Sequence, residues 1–169
     1  MIRASLLLIA LSTLAVTGCK NKEEGGSAPA AGDKAGEAKK PAAGGPVKLP
    51  DLGLQVDVAG EPMVDKALSG TGHMLMGGAV GAMTVELKDA DQTLEEGKSD
   101  AGMYDPKNLK EEKLADGWAL TWDNTGSMGA NYFVESRRTI DGKFYKCGST
   151  VSKPEQASAV LAACKSLRK

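Results

Sequence analysis

The sequence predicts an α+β domain, an antiparallel β-sheet with a four-stranded meander packed with two helices. Two observations carry the sheet. Asp116-Gly117 and Asp141-Gly142 each divide a pair of extended runs, and Asp-Gly tolerates the positive φ angles of a tight hairpin turn. A third observation supplies the helices: 91–104 and the stretch after Ser152 open with acidic and capping residues.

The elements follow in order. "LGLQVDV" (52–58) alternates apolar and polar residues, as a half-buried strand does. "HMLMGGAVGAMTVELKDA" (73–90) is apolar and β-branched, and suggests two strands around Gly77-Gly78. "DQTLEEGKSDAGMY" (91–104) reads as a helix with Asp91 as N-cap. Glu95 and Glu96 then sit in the first turns, where the helix dipole favours negative charge. "NLKEEKLADGWALTWDN" and "NYFVESRRTIDGKFYKCGSTV" are the two hairpins, joined by "NTGSMGAN" (124–131) into a meander over about 107–151. Ser152, Pro154 and Glu155 supply an N-cap, an early-turn proline and a capping box. Ala157, Val160, Leu161, Cys164 and Leu167 then fall on one helix face.

The N-terminus is of another kind. Arg3 precedes an apolar run, 6–16, that is shorter than the roughly 20 residues a membrane-spanning helix needs. The run suits the h-region of a secretory signal, 1–18. Val16-Thr17-Gly18-Cys19 resembles the lipobox of bacterial lipoproteins. The resemblance implies cleavage before Cys19, a diacylglycerol on its thiol and an N-acyl chain on the new amine. Each buried lipid CH₂ adds about 0.8 kcal/mol of membrane affinity, so two or three chains anchor the protein firmly. Lys20 in place of Asp resembles an outer-membrane address, on the face towards the periplasm.

From Cys19 to 46 the chain is a Gly/Ala/Pro/Lys-rich tether. Residues 20–46 hold no Leu, Ile, Val or aromatic side chain to offset the entropy of ordering. The alternative, a polyanion-binding tail, is opposed by its mixed signs, five lysines against four acids. Residues 47–169 then form a single domain. The whole chain has net charge −1, and a mildly acidic domain argues against nucleic acid as a partner.

With Cys19 lipidated, Cys147 and Cys164 remain of three cysteines. Export places them where disulfides persist, and Cys147 shares strand parity with Tyr145 and Val151. A structural disulfide joining the last strand to the last helix is expected. A reactive thiol pair, free thiols and a bond to another chain are the alternatives.

The search for chemistry yields little. His73 is the only histidine, so any Ser-His-Asp site must use it. "TGSMGA" (125–130) lacks the G-x-S-x-G order of a nucleophile elbow and reads as a turn. The D-x-D-x-T start within 87–96 lacks the Gly and terminal Glu of a calcium loop. His73, Met74 and Met76, with Met63 and Met83 flanking, offer imidazole and thioether ligands suited to Cu(I). On a strand, however, Met74 and Met76 share a face and His73 points away, so core packing competes with metal binding. Trp118, Leu120 and Trp122 make an apolar stripe that is either a core face or a surface for sugar rings or a protein. Arg137 and Arg138 fall on opposite sheet faces beside Glu135 and Asp141, as solvated cross-strand pairs do.

The element order over 50–169, closed by a helix ending "CKSLR", resembles the PsbP-like fold. Its members are mostly binding or assembly proteins, which implies a non-enzymatic role. The expected protein is a lipid-anchored envelope lipoprotein without a cofactor beyond its acyl chains, serving as a binding or assembly factor for an envelope protein. The alternative is a small-ligand or copper carrier using His73, Met74 and Met76. Intact-mass spectrometry of protein extracted from its own membrane is expected to give a diacylated or triacylated chain starting at Cys19, two hydrogens light. An unlipidated mass would overturn the lipobox reading.

Overall fold

The computed structural model describes residues 45–127 and 129–169. The signal, Cys19 and residues 20–44 of the tether lie outside them. The chain begins with a hairpin, β1 (Gly45–Leu49) and β2 (Leu54–Val58), joined by a 3-10 turn at Pro50–Leu52. Next come β3 (Met63–Lys66), β4 (Gly72–Gly77), β5 (Gly81–Lys88) and helix α1 (Leu94–Gly102). The meander follows as β6 (Lys107–Leu114), β7 (Gly117–Gly126), β8 (Gly129–Ile140) and β9 (Lys143–Val151), and helix α2 (Pro154–Ser166) closes the chain. One seven-stranded antiparallel sheet has the order β3-β4-β5-β9-β8-β7-β6, and β1-β2 forms a second, smaller sheet. The α+β class, the meander and the two helices match the sequence expectation. Strands β1 and β3 do not appear in it, and β1 takes up Gly45 and Pro46, which composition assigns to the tether.

Local chemistry explains the boundaries. Ile140 pairs with Lys143 around Asp141-Gly142, whose φ values of 50° and 70° are those of a type I′ turn. The other Asp-Gly pair behaves differently. Leu114 pairs with Gly117, so the loop is Ala115-Asp116, and neither residue has a positive φ. Asp116 is instead drawn towards β8. Its carboxylate accepts from Arg138 Nε at 2.6 Å and Nη2 at 2.8 Å, and its carbonyl accepts from the Thr139 N–H.

Helix α1 starts two residues later than Asp91 predicts. Thr93 is the N-cap: its hydroxyl accepts from Glu96 N–H while the Glu96 carboxylate accepts from Thr93 N–H. Asp91 serves only the Gln92 N–H. The Thr93 backbone and hydroxyl donors hold the Glu96 carboxyl below its usual pKa. At α2 the expected Ser152 box is replaced by Lys153 as N-cap, without a side-chain cap bond. Proline at 154 forces the residue before it into an extended conformation, which moves the cap to Lys153.

The main core lies on the sheet face covered by α2 and the β1-β2 hairpin. It includes Leu49, Val56, Leu75, Met83, Val85, Val134, Tyr145, Val160 and Leu167. The Cys147–Cys164 disulfide sits fully buried within it, Cα atoms 5.6 Å apart, and ties β9 to α2. Arg138, expected beside Glu135 and Asp141, reaches the end of α2 instead. Its Nη1 donates to the Cys164 and Lys165 carbonyls, both at 2.9 Å, which satisfies carbonyls a helix end leaves free. Asp141 pairs with Lys169. Beyond α2, Arg168 pairs with Gln55 of β2 and forks onto Asp57 at 2.8 Å. That fork holds the Asp57 carboxyl below its usual pKa, so the clasp is present at neutral pH and lost only as pH falls through the lowered value.

The disulfide spans 17 residues of sequence, a loop whose closure contributes about 3 kcal/mol by restricting the unfolded chain. The double variant Cys147→Ala, Cys164→Ala is expected to lose about that much in urea unfolding, with a lower midpoint and a fold otherwise retained.

Candidate functional site

Register assigns every strand residue to one sheet face. Asp65, Met74, Thr84, Gly148, Glu135 and Leu120 pair in turn across β3-β4-β5-β9-β8-β7, so they share the face opposite α2. Trp118 and Trp122, two residues either side of Leu120, lie on it too.

Helix α1 covers one end of this face. Trp118, Leu120 and Trp122 are all less than a tenth exposed and form a second core with Ala101, Leu94 and Phe133. The stripe is therefore core, not a free binding surface, because α1 lies over it. Trp118 Nε1 donates to the Gln92 carbonyl at 2.7 Å, fixing the indole beneath the start of the helix. Gly97 rests on the same ring, and a Cβ there would overlap it. Lys98 bridges Glu95 at 3.2 Å and Glu111 of β6 at 3.1 Å, tying the helix to the edge strand.

The cover stops at β8. Phe133 stacks on Trp122 with ring centres 5.0 Å apart and planes 3° from parallel, and Tyr104 leans on Phe133 at 5.5 Å. Tyr104 is half exposed and Met103 three-quarters exposed. Between them and the sheet lies a groove of about 370 Å³. Its floor is Thr84, Glu135, Lys146, Gly148 and Thr150, and its wall is Asp100, Met103 and Tyr104. Trp122 also lines it, and among the described residues its buried Nε1 has no hydrogen-bond acceptor.

Beside the groove runs a charged ladder. Lys146 meets Glu135 at 3.1 Å, Arg137 meets Glu135 at 3.4 Å, and Lys88 meets Glu86 at 2.8 Å. Burial pushes the Glu86 carboxyl up, but hydrogen bonds from Lys88 and Ser69 and the charges of Lys88 and Lys146 outweigh it, leaving its pKa below the usual value.

The structure separates the residues of the predicted metal segment. His73 is buried on the α2 face, with Nε2 4.0 Å from an Asp51 carboxylate oxygen, while Met74 and Met76 lie on the α1 face. One ion cannot be shared by all three, as strand alternation requires. Among the described residues, no group of three His, Cys, Asp or Glu side chains is placed to hold a metal, and no helix is long and apolar enough to cross a membrane. Cys147 and Cys164 are joined to each other, and Cys19 lies outside the described residues. Sequence reading missed the groove and its wall. Its only signal was Met103-Tyr104, two exposed apolar residues just beyond the amphipathic part of α1. No family model matches the chain, and no curated protein is significantly similar to it.

Gly97→Ala tests how α1 is seated. Alanine gains up to about 1 kcal/mol of helix propensity, but overpacking against Trp118 costs about 1–3 kcal/mol. Net destabilisation and altered tryptophan fluorescence are expected. Gly102→Ala, whose Cβ meets open space, is expected to be neutral or stabilising.

Proposed function

We propose that the chain is a lipoprotein of the cell envelope, anchored through Cys19 in the outer membrane and facing the periplasm. Its domain is a non-enzymatic binding or assembly factor for another envelope protein, and the partner docks on the open part of the sheet at the groove beside α1. The observation that carries this reading is the half-covered sheet face. A helix roofs β7, and the roof ends in exposed Met103 and Tyr104 above a floor of small and paired polar residues. Apolar anchors beside satisfied polar groups are what protein interfaces use. The order of strands, helix, meander and closing helix supports a PsbP-like assignment, whose members serve mostly in binding and assembly.

A photo-crosslinking amino acid at Thr84 or Thr150 on the groove floor is expected to give a discrete protein adduct in cells. The same residue at Glu155, exposed at the start of α2 on the opposite face, is expected to give none. Equal labelling from all three positions, or no adduct from the groove, would remove the basis for this reading.

A further inference from the structure

The open face carries a second feature at its other end. Met63 on β3 is paired with Met76 on β4, and Met74 lies two residues along β4 on the same side. All three thioethers therefore project from one face of the β3-β4 ribbon. Paired residues have Cβ atoms about 4.5–5.5 Å apart, and diagonal neighbours about 7–8 Å. A methionine sulfur stands two bonds beyond Cβ on a side chain with three rotatable bonds, so three sulfurs on such a triangle can close on one point. Met63 is 68 % exposed, Met74 and Met76 are partly exposed, and α1 does not reach them. Three adjacent methionines on open surface are poorly explained by packing. The core methionine, Met83, lies on the opposite face and is fully buried.

We infer that Met63, Met74 and Met76 form a thioether site for a soft monovalent cation, Cu(I). Thioethers are soft, neutral donors that select Cu(I) over harder divalent ions. Three of them leave the bound ion its full positive charge. Asp65 is paired with Met74 on the same face and supplies the countercharge beside the site. The site differs from the His73 arrangement suggested by the sequence, since His73 lies across the sheet. The site bridges the edge strand β3 and its neighbour β4.

The full chain is used with Cys19→Ser, which removes the one thiol outside the disulfide, and with that disulfide intact. It is titrated with Ag(I), a redox-inert analogue, and with Cu(I) against a chromogenic bicinchoninate competitor. The methyl signals of its seven methionines are followed by NMR. One ion per chain is expected, with the largest shifts confined to Met63, Met74 and Met76. Met74→Leu combined with Met76→Leu is expected to weaken binding about tenfold or more, and Asp65→Asn about two- to threefold. Met103→Leu is expected to change nothing. Leucine conserves volume, and the Met83 methyl signal reports that the core of each variant is native. Unchanged affinity in the double variant, the largest shifts at other methionines, or no saturable binding would each overturn the site.

Discussion

A seven-stranded sheet has two faces, and the described residues have little with which to cover them. Strands spaced about 4.8 Å apart put the outer members of the sheet about 29 Å from each other. Helix α2, with 13 residues, is about 20 Å long, and α1, with nine, about 13 Å. The longer helix and the β1-β2 hairpin together close one face and enclose the main core. The shorter helix alone cannot close the other. Where it lies is set by β7, whose two tryptophans and Leu120 offer more apolar area than any other strand on that side. Among the described residues, the rest of that face, from β3 to β9, stays open as a consequence of element lengths.

The residues on the open part are suited to that exposure. Glu86, Lys88, Lys146, Glu135 and Arg137 alternate in sign along neighbouring strands, so each charge has a partner and none is left buried alone. Partly exposed pairs of this kind contribute little net stability. Their effect is to keep the face wet and to discourage a second sheet from stacking on it. Arg138 and Asp116, by contrast, close a junction. One guanidinium joins the β6-β7 turn, strand β8 and the end of α2, and its planar fork matches a carboxylate in a way lysine cannot.

Much of the fold was legible because local rules decided it. Asp141-Gly142 turns the chain as its φ preference dictates, and parity along β9 correctly sent Cys147 to the face where α2 carries Cys164. What was illegible depended on partners distant in sequence. The Trp118, Leu120, Trp122 stripe reads identically whether covered or free, and its cover comes from Gly97 and Ala101, on an earlier segment with few apolar residues. Asp116-Gly117 looks like its twin at 141–142, but Arg138, 22 residues on, holds Asp116 and shifts the turn by one residue. Strand β3 has only four residues, all exposed, and no alternation to betray it. Its pairing with β4 is what brings Met63 to Met76. The capping error at α1 was avoidable, since Thr93 and Glu96 have the spacing of a capping box.

The half-covered face also depends on where the first hairpin sits. The described fold begins at β1, which packs with β2 on the α2 side of the sheet. Had β1 packed on the α1 side, the hairpin would have filled the groove and buried the methionine face, leaving nothing to present. The placement of a five-residue strand thus decides which side of the sheet is closed, and in this fold it is the side that α2 covers.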